Sequence, residues 1–151
     1  MVAGCSHEST TPVDPPPPSL NSGYSFAEWA LDGAACEEGQ YCLDVLRVSQ
    51  TFGDDPEIYV RVTGDSGTIS QSMVISAEDY LAFGQLVTRV SVEYDYQIEG
   101  CVPGQGVSER VNVFEGDAGW GAGIEGCDSP QVLELRLMVT ELVEKYFVAV
   151  P

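Results

Sequence analysis

The chain predicts an α+β fold, an antiparallel sheet of about five strands with two helices packed on one face, stabilised by disulfides. Three observations lead there. Several stretches alternate apolar and polar residues with a period of two, two others place apolar residues at helical spacing, and four cysteines lie among them. The first twenty of the 151 residues stand apart in composition, which leaves residues 21–151 for one domain with a single core.

Residues 19–41 read as a transition, with Tyr24, Phe26, Trp29 and Leu31 as anchors and Gly33-Ala34-Ala35 as a break; one short helical turn is expected. Cys42 to Phe52 is rich in Leu and Val and reads as a strand ended by the turn Gly53-Asp54-Asp55-Pro56. Ile58, Val60 and Val62 then alternate with Glu57, Tyr59, Arg61 and Thr63, the period of a half-buried strand. After Gly64-Asp65-Ser66-Gly67, the residues Ile69, Gln71, Met73 and Ile75 share a face, so a third antiparallel strand completes a meander.

Ser76 and Asp79 form a capping-box pattern ahead of Tyr80, Phe83 and Val87, which predicts a helix weakened by Gly84. Val90, Val92, Tyr94, Tyr96 and Ile98 alternate with Ser91, Glu93, Asp95, Gln97 and Glu99, which predicts a long strand over 90–99. Gly100 to Gly106 turns the chain, and Val107 to Glu115 reads as the returning strand, with Arg110 placed to offset the acidic face. Gly116 to Gly126 holds five glycines around Trp120 and Ile124 and reads as an open loop. Ser129-Pro130 supplies a cap and a first-turn proline for a core helix. Its apolar stripe is Val132, Leu135, Val139, Leu142 and Tyr146, widened by Leu133, Met138 and Val143, with Glu141 and Lys145 paired on the outer side.

Twenty-four acidic residues against six basic ones give a net charge of -18, which excludes nucleic acid as a partner because phosphates need neutralising Arg and Lys. Apart from Cys5 the cysteines are Cys36, Cys42, Cys101 and Cys127, an even number that predicts two disulfides in an exported domain. Three pairings are open. Cys36 with Cys42 is favoured because Glu37-Glu38-Gly39-Gln40 can form a tight loop between them, and Cys101 with Cys127 would then close a longer one. The spacings of six, fifty-nine and twenty-six lack the paired knuckles of a zinc site.

At the start of the chain Val2-Ala3-Gly4-Cys5 precedes a Ser/Thr/Pro-rich run that ends in Pro15-Pro16-Pro17-Pro18. A small-residue triplet ending in Cys resembles the lipobox of bacterial lipoproteins. That resemblance implies acylation of Cys5, removal of the peptide before it, and an exported chain anchored at the cell envelope, on the outer membrane or its periplasmic face. A signal peptide with a basic segment and an apolar run is expected ahead of the box, where here only Met1 stands. Residues 1–20 are then the lipidation site and a disordered tether, in which polyproline lacks backbone donors and serves as an extended spacer. The lipid anchor is the only contact with the membrane this reading requires.

The one histidine, His7, lies in the tether, so a histidine-based acid, base or metal site in the domain is excluded. Serine nucleophiles need an orienting base, and no glycine-rich phosphate loop followed by lysine appears. Glu93 with Asp95 and Asp117 with Glu125 are the only carboxylate pairs worth naming for acid–base work, and such pairs arise by chance in so acidic a chain. Asp54-Asp55-Pro56-Glu57, Asp65-Ser66-Gly67 and Glu115-Gly116-Asp117 put hard oxygens on turns but lack a full calcium loop. The expectation is therefore a protein without catalytic residues, resident metal or cofactor.

Trp120, flanked by glycines, and Ile124 are the candidate partner-contacting residues, since aromatic anchors dominate interfaces; the alternative is that Trp120 folds back on the core. The order of strands, helix, strands and terminal helix is similar to that of small emfourin-type inhibitors of metalloproteases and of several bacterial lipoproteins of unknown function. No family motif matches residue by residue, so no inhibitory residue is carried over. Two functions follow as expectations: a non-enzymatic lipoprotein that binds or scaffolds an envelope protein, or a secreted inhibitor that plugs a protease or toxin, a secreted hydrolase for example, with an exposed loop such as 116–126.

Overall fold

A computed structural model describes residues 25–32, 36–51, 53–94, 101, 108–115 and 118–147. Cys5 with the tether, the expected strand residues 95–99, the 102–106 turn and Asp117 lie outside the described residues. The strands are β1 (Ser25–Asp32), β2 (Tyr41–Gln50), β3 (Glu57–Gly64), β4 (Gly67–Val74), β5 (Ser108–Glu115) and β6 (Ala118–Gly123). The helices are α1 (Ala77–Tyr94) between β4 and β5, and α2 (Pro130–Tyr146) after β6. All six strands form one antiparallel sheet in the order β4-β3-β2-β1-β5-β6, one strand more than the expected five.

Four strands meander outward from β1 to β4, after which α1 carries the chain back over the sheet to β5 on the other side of β1. The helix-covered face is built by alternation. Ala27 and Trp29 of β1, Leu46 and Val48 of β2, Ile58, Val60 and Val62 of β3, and Val111 and Val113 of β5 are buried there, in matching register. Against them pack Tyr80, Phe83, Val87 and Val90 of α1 and Val132, Leu135, Val139 and Leu142 of α2. Each such side chain contributes about 1.5–3 kcal/mol on burial before ordering entropy is counted.

Three expectations about elements are corrected. The transition residues are no helical turn but the central strand β1, which has side chains packed on both faces: Ala27 and Ala30 are both fully buried, on opposite sides. Residues 90–94 are not strand but the last turn of α1, because Tyr80, Phe83, Val87, Val90 and Ser91 recur at three- and four-residue steps and all are buried. Residues 118–123 are not an open loop but the edge strand β6, paired along its length with β5.

The caps are where the pattern places them. Ser76 Oγ accepts from the Asp79 N–H at 3.1 Å, and Ser129 Oγ accepts from the Val132 N–H at 3.3 Å ahead of Pro130. Of the expected α2 stripe, Leu133 instead points outward, 53% exposed. Lys145 turns from Glu141 to Asp79, with Nζ 2.7 Å from its carboxylate. Both favoured disulfides form: Cys36–Cys42 with Cα atoms 5.7 Å apart and Cys101–Cys127 with Cα atoms 4.7 Å apart.

Candidate functional site

Two surfaces and one buried centre gather the chemistry of the fold. The first surface is a cleft of about 440 Å³ at the end of the sheet where β1 ends and β2 begins. It is lined by Leu31, Asp32, the Cys36–Cys42 bridge, Asp44, Thr63 and Asp65. Asp44 owes its position to a bulge: Leu43 faces Val62 and Val45 faces Arg61, so Asp44 is the extra residue and leaves the strand's alternation. Its Oδ2 accepts from Arg61 Nε at 3.2 Å and from Thr63 Oγ1 at 2.7 Å. That hydrogen bond holds the Arg61 guanidinium above its ordinary pKa, against burial. Asp32 accepts from Arg110 at 2.8 Å, and Asp65 accepts from the Gly39 N–H at 3.1 Å, which explains this acidic turn by loop geometry. Three carboxylates on one rim favour a cation or a hydrogen-bond donor and repel an anion.

The second surface is the sheet face opposite the helices. Phe26 of β1 stacks on its cross-strand partner Phe114 of β5, with centroids 5.6 Å apart and planes 12° apart. The Arg47 guanidinium lies over Phe26 at 5.7 Å and over Tyr59 at 5.2 Å. Glu28 fixes it by accepting from Arg47 Nε at 2.9 Å, and Asn112 donates to the other oxygen of Glu28 at 3.3 Å. Neighbouring glycines make room: a Cβ on Gly121 would meet Asn112 Oδ1 at 2.6 Å. The result is an ordered aromatic and arginine ladder, half-buried along its length.

The buried centre lies on the helix side. Glu109 is 5% exposed and accepts from Trp29 Nε1 at 2.7 Å, from Arg136 Nε at 3.1 Å and from the other end of the same guanidinium at 2.7 Å. The Glu109 hydrogen bonds raise the pKa of Arg136, against its partial burial. This triad joins β1, β5 and α2, and its three members already satisfy one another. A second link ties the helix ends together. Asp79 accepts from Lys145 at 2.7 Å and from Tyr146 Oη at 2.6 Å, and Tyr146 Oη accepts from the Ser76 N–H at 3.1 Å. Burial opposes ionisation of Asp79, but the bonds from Lys145 and Tyr146 outweigh it and hold its carboxyl below the ordinary value. Ser25 Oγ and Tyr80 Oη, both fully buried, hydrogen-bond each other.

The sequence-predicted contact residues separate. Trp120 stands on β6 opposite Val113, facing the helices, and packs half-buried against the core. Ile124 is fully buried, a correction to its expected exposure: its N–H bonds the Glu109 carbonyl at 2.8 Å and draws the side chain inward. Of the carboxylate pairs, Glu93 accepts from Ser129 Oγ at 2.9 Å and so serves the α2 cap. The aromatic and arginine ladder escaped sequence reasoning; its signal is Phe26, Arg47 and Tyr59 at outward positions of three strands. No helix among the described residues is long and apolar enough to cross a membrane. No protein-family model matches the chain, and the search of curated proteins finds no match either.

Proposed function

We propose that this protein is a non-enzymatic exported lipoprotein, tethered at the cell envelope through Cys5, that binds or scaffolds another envelope protein. The observation that carries the export half of this reading is the pair of disulfides, since such bridges persist in oxidising compartments and are rare where glutathione keeps thiols reduced. The Val2-Ala3-Gly4-Cys5 box and the proline-rich spacer support the anchor. Support for binding comes from the half-exposed Phe26–Arg47–Tyr59 ladder and from Trp120 on β6, whose rigid aromatic area suits an interface. The inhibitor alternative needs an exposed 116–126 loop, whereas residues 118–123 are paired strand, so the scaffold reading is preferred.

The test is metabolic labelling with a fatty-acid analogue in a bacterium expressing the gene with its upstream coding sequence. Label on the wild-type chain and none on Cys5→Ala is the expected result; an unlabelled wild-type chain in the soluble fraction overturns the anchor. Pull-down from envelope extract with wild type and Arg47→Ala addresses binding. Recovery of a structural or transport component that Arg47→Ala loses is expected, and recovery of a hydrolase moves the assignment to inhibition.

A further inference from the structure

Among the described residues the outer edge of β4 is unpaired, and the geometry points to antiparallel pairing of β4 with β4 of a second copy about a two-fold axis at Gln71. Among the described residues no strand pairs with that edge, and α1 lies over β2, β1, β5 and β6, away from it. Seven of the eight β4 residues are exposed, with Met73 at 39% and Val74 at 60%. A long, exposed edge is a template for strand addition, which proteins ordinarily block with charge or proline. Here neither is present: Ser66 to Ala77 is a run of twelve residues without a charge, the longest among the described residues of a chain at -18.

The order of side chains within the strand selects the partner. Around Gln71 the strand reads Ile69-Ser70-Gln71-Ser72-Met73, a palindrome in chemical class. Antiparallel pairing about Gln71 places Ile69 opposite the second copy's Met73, Ser70 opposite its Ser72, and Gln71 opposite itself. Moving the axis one residue, to Ser70, would keep Ser70 opposite itself and Ser72 opposite Thr68 but set Ile69 against Gln71 and Met73 against Gly67, so the two apolar side chains lose each other. Backbone geometry agrees. The two-residue turn Asp65-Ser66 closes β3 on β4 with Gly64 opposite Gly67, so Ile69, Gln71 and Met73 bond toward β3. Thr68, Ser70, Ser72 and Val74 then present their N–H and C=O groups outward, and Ser70 meets Ser72 as a hydrogen-bonded pair. An isologous contact of this kind closes at two copies, joining two six-stranded sheets with the helices of both on one side.

The pairing is weak by size, since one strand pair buries less than a standard interface, and self-association is expected between about 10 μM and 1 mM. Two bodies at -18 repel, so sedimentation velocity should show association strengthening severalfold as sodium chloride rises from low to high concentration. Gln71→Lys makes each copy less negative, yet it sets two ammonium groups opposite each other and should weaken association at least tenfold. Its circular dichroism should match wild type, because Gln71 is exposed.

Register is tested by oxidative cross-linking. Gln71→Cys places two thiols in a non-hydrogen-bonded pair with Cα atoms about 4.5 Å apart and should give a covalent dimer. Ser70→Cys, equally near the edge, leaves its thiols about 8 Å apart by Cα and should cross-link far less. A monomer at 1 mM in high salt, association of Gln71→Lys equal to wild type, or equal cross-linking of the two cysteine variants each overturns the pairing. The test reads self-association of the protein itself and stands apart from the envelope reading above.

Discussion

At the scale of single residues, the buried Glu109 is the decisive polar group. A carboxylate at 5% exposure is tolerated because Trp29 and both ends of the Arg136 fork saturate its two oxygens. Removing it strands the indole N–H and a guanidinium that is only one-third exposed. Glu109→Ala is therefore expected to cost about 2–3 kcal/mol, less than a fully enclosed pair because Arg136 regains water. Glu109→Gln retains an acceptor for one partner and should cost about half as much. Urea unfolding checks both, and a midpoint for Glu109→Ala within error of wild type would show that the triad adds nothing net. In the sequence this centre was illegible. Glu109 occupies an inward position of β5 and Arg136 lies on α2 between Leu135 and Leu137, so each alone contradicts the apolar pattern, and only their meeting across two elements resolves it.

At the scale of elements, what was legible is what has a single dry face. β3 alternates cleanly because one side is buried and the other wet, and α2 is announced by Ser129-Pro130. β1 was missed because it is central, with Phe26 stacked on one face and Trp29 buried on the other, so no two-residue period survives. β6 was hidden by its glycines, although Gly119, Gly121 and Gly123 recur at every second residue on the ladder side while Trp120 and Ala122 face the core. The end of α1 deceived because residues 90–94 satisfy both periods, and only the stripe begun at Tyr80 and Phe83 decides for helix. Cysteine spacing, by contrast, gave both bridges, and their loop lengths rank them. Cys101–Cys127 closes a separation of 26 residues and Cys36–Cys42 one of 6. Chain entropy then predicts losses of about 3.5 and about 2 kcal/mol for the respective double serine variants. Thermal unfolding of both measures the order, and an equal or reversed ranking would mean that native packing around the bridges outweighs loop closure.

At the scale of the whole molecule, charge sets behaviour more than any contact. Five ion pairs join the described residues, Arg47–Glu28, Arg61–Asp44, Arg110–Asp32, Arg136–Glu109 and Lys145–Asp79. Four of them expose more than a third of the basic side chain, and solvent leaves such pairs little net stabilisation. Opposing them is the mutual repulsion of a body with twenty-four carboxylates and six bases, which is long-ranged and therefore the first interaction that salt removes. The two effects answer sodium chloride with opposite signs. Screening weakens the exposed pairs and destabilises, whereas it relieves the net charge of -18 and stabilises. Repulsion wins this comparison because it acts among all the unpaired carboxylates, while the buried Glu109–Arg136 pair is largely shielded from ions. Tm is accordingly expected to rise with sodium chloride, and a relief of about 1 kcal/mol corresponds to about 3–5 °C for a domain of this size. Chloride is the salt to use, since sulfate would stabilise any fold by exclusion. A Tm that falls with added salt would place the ion pairs above the self-repulsion, and the acidic surface would then be acting as an ordered network rather than as a solvated shell.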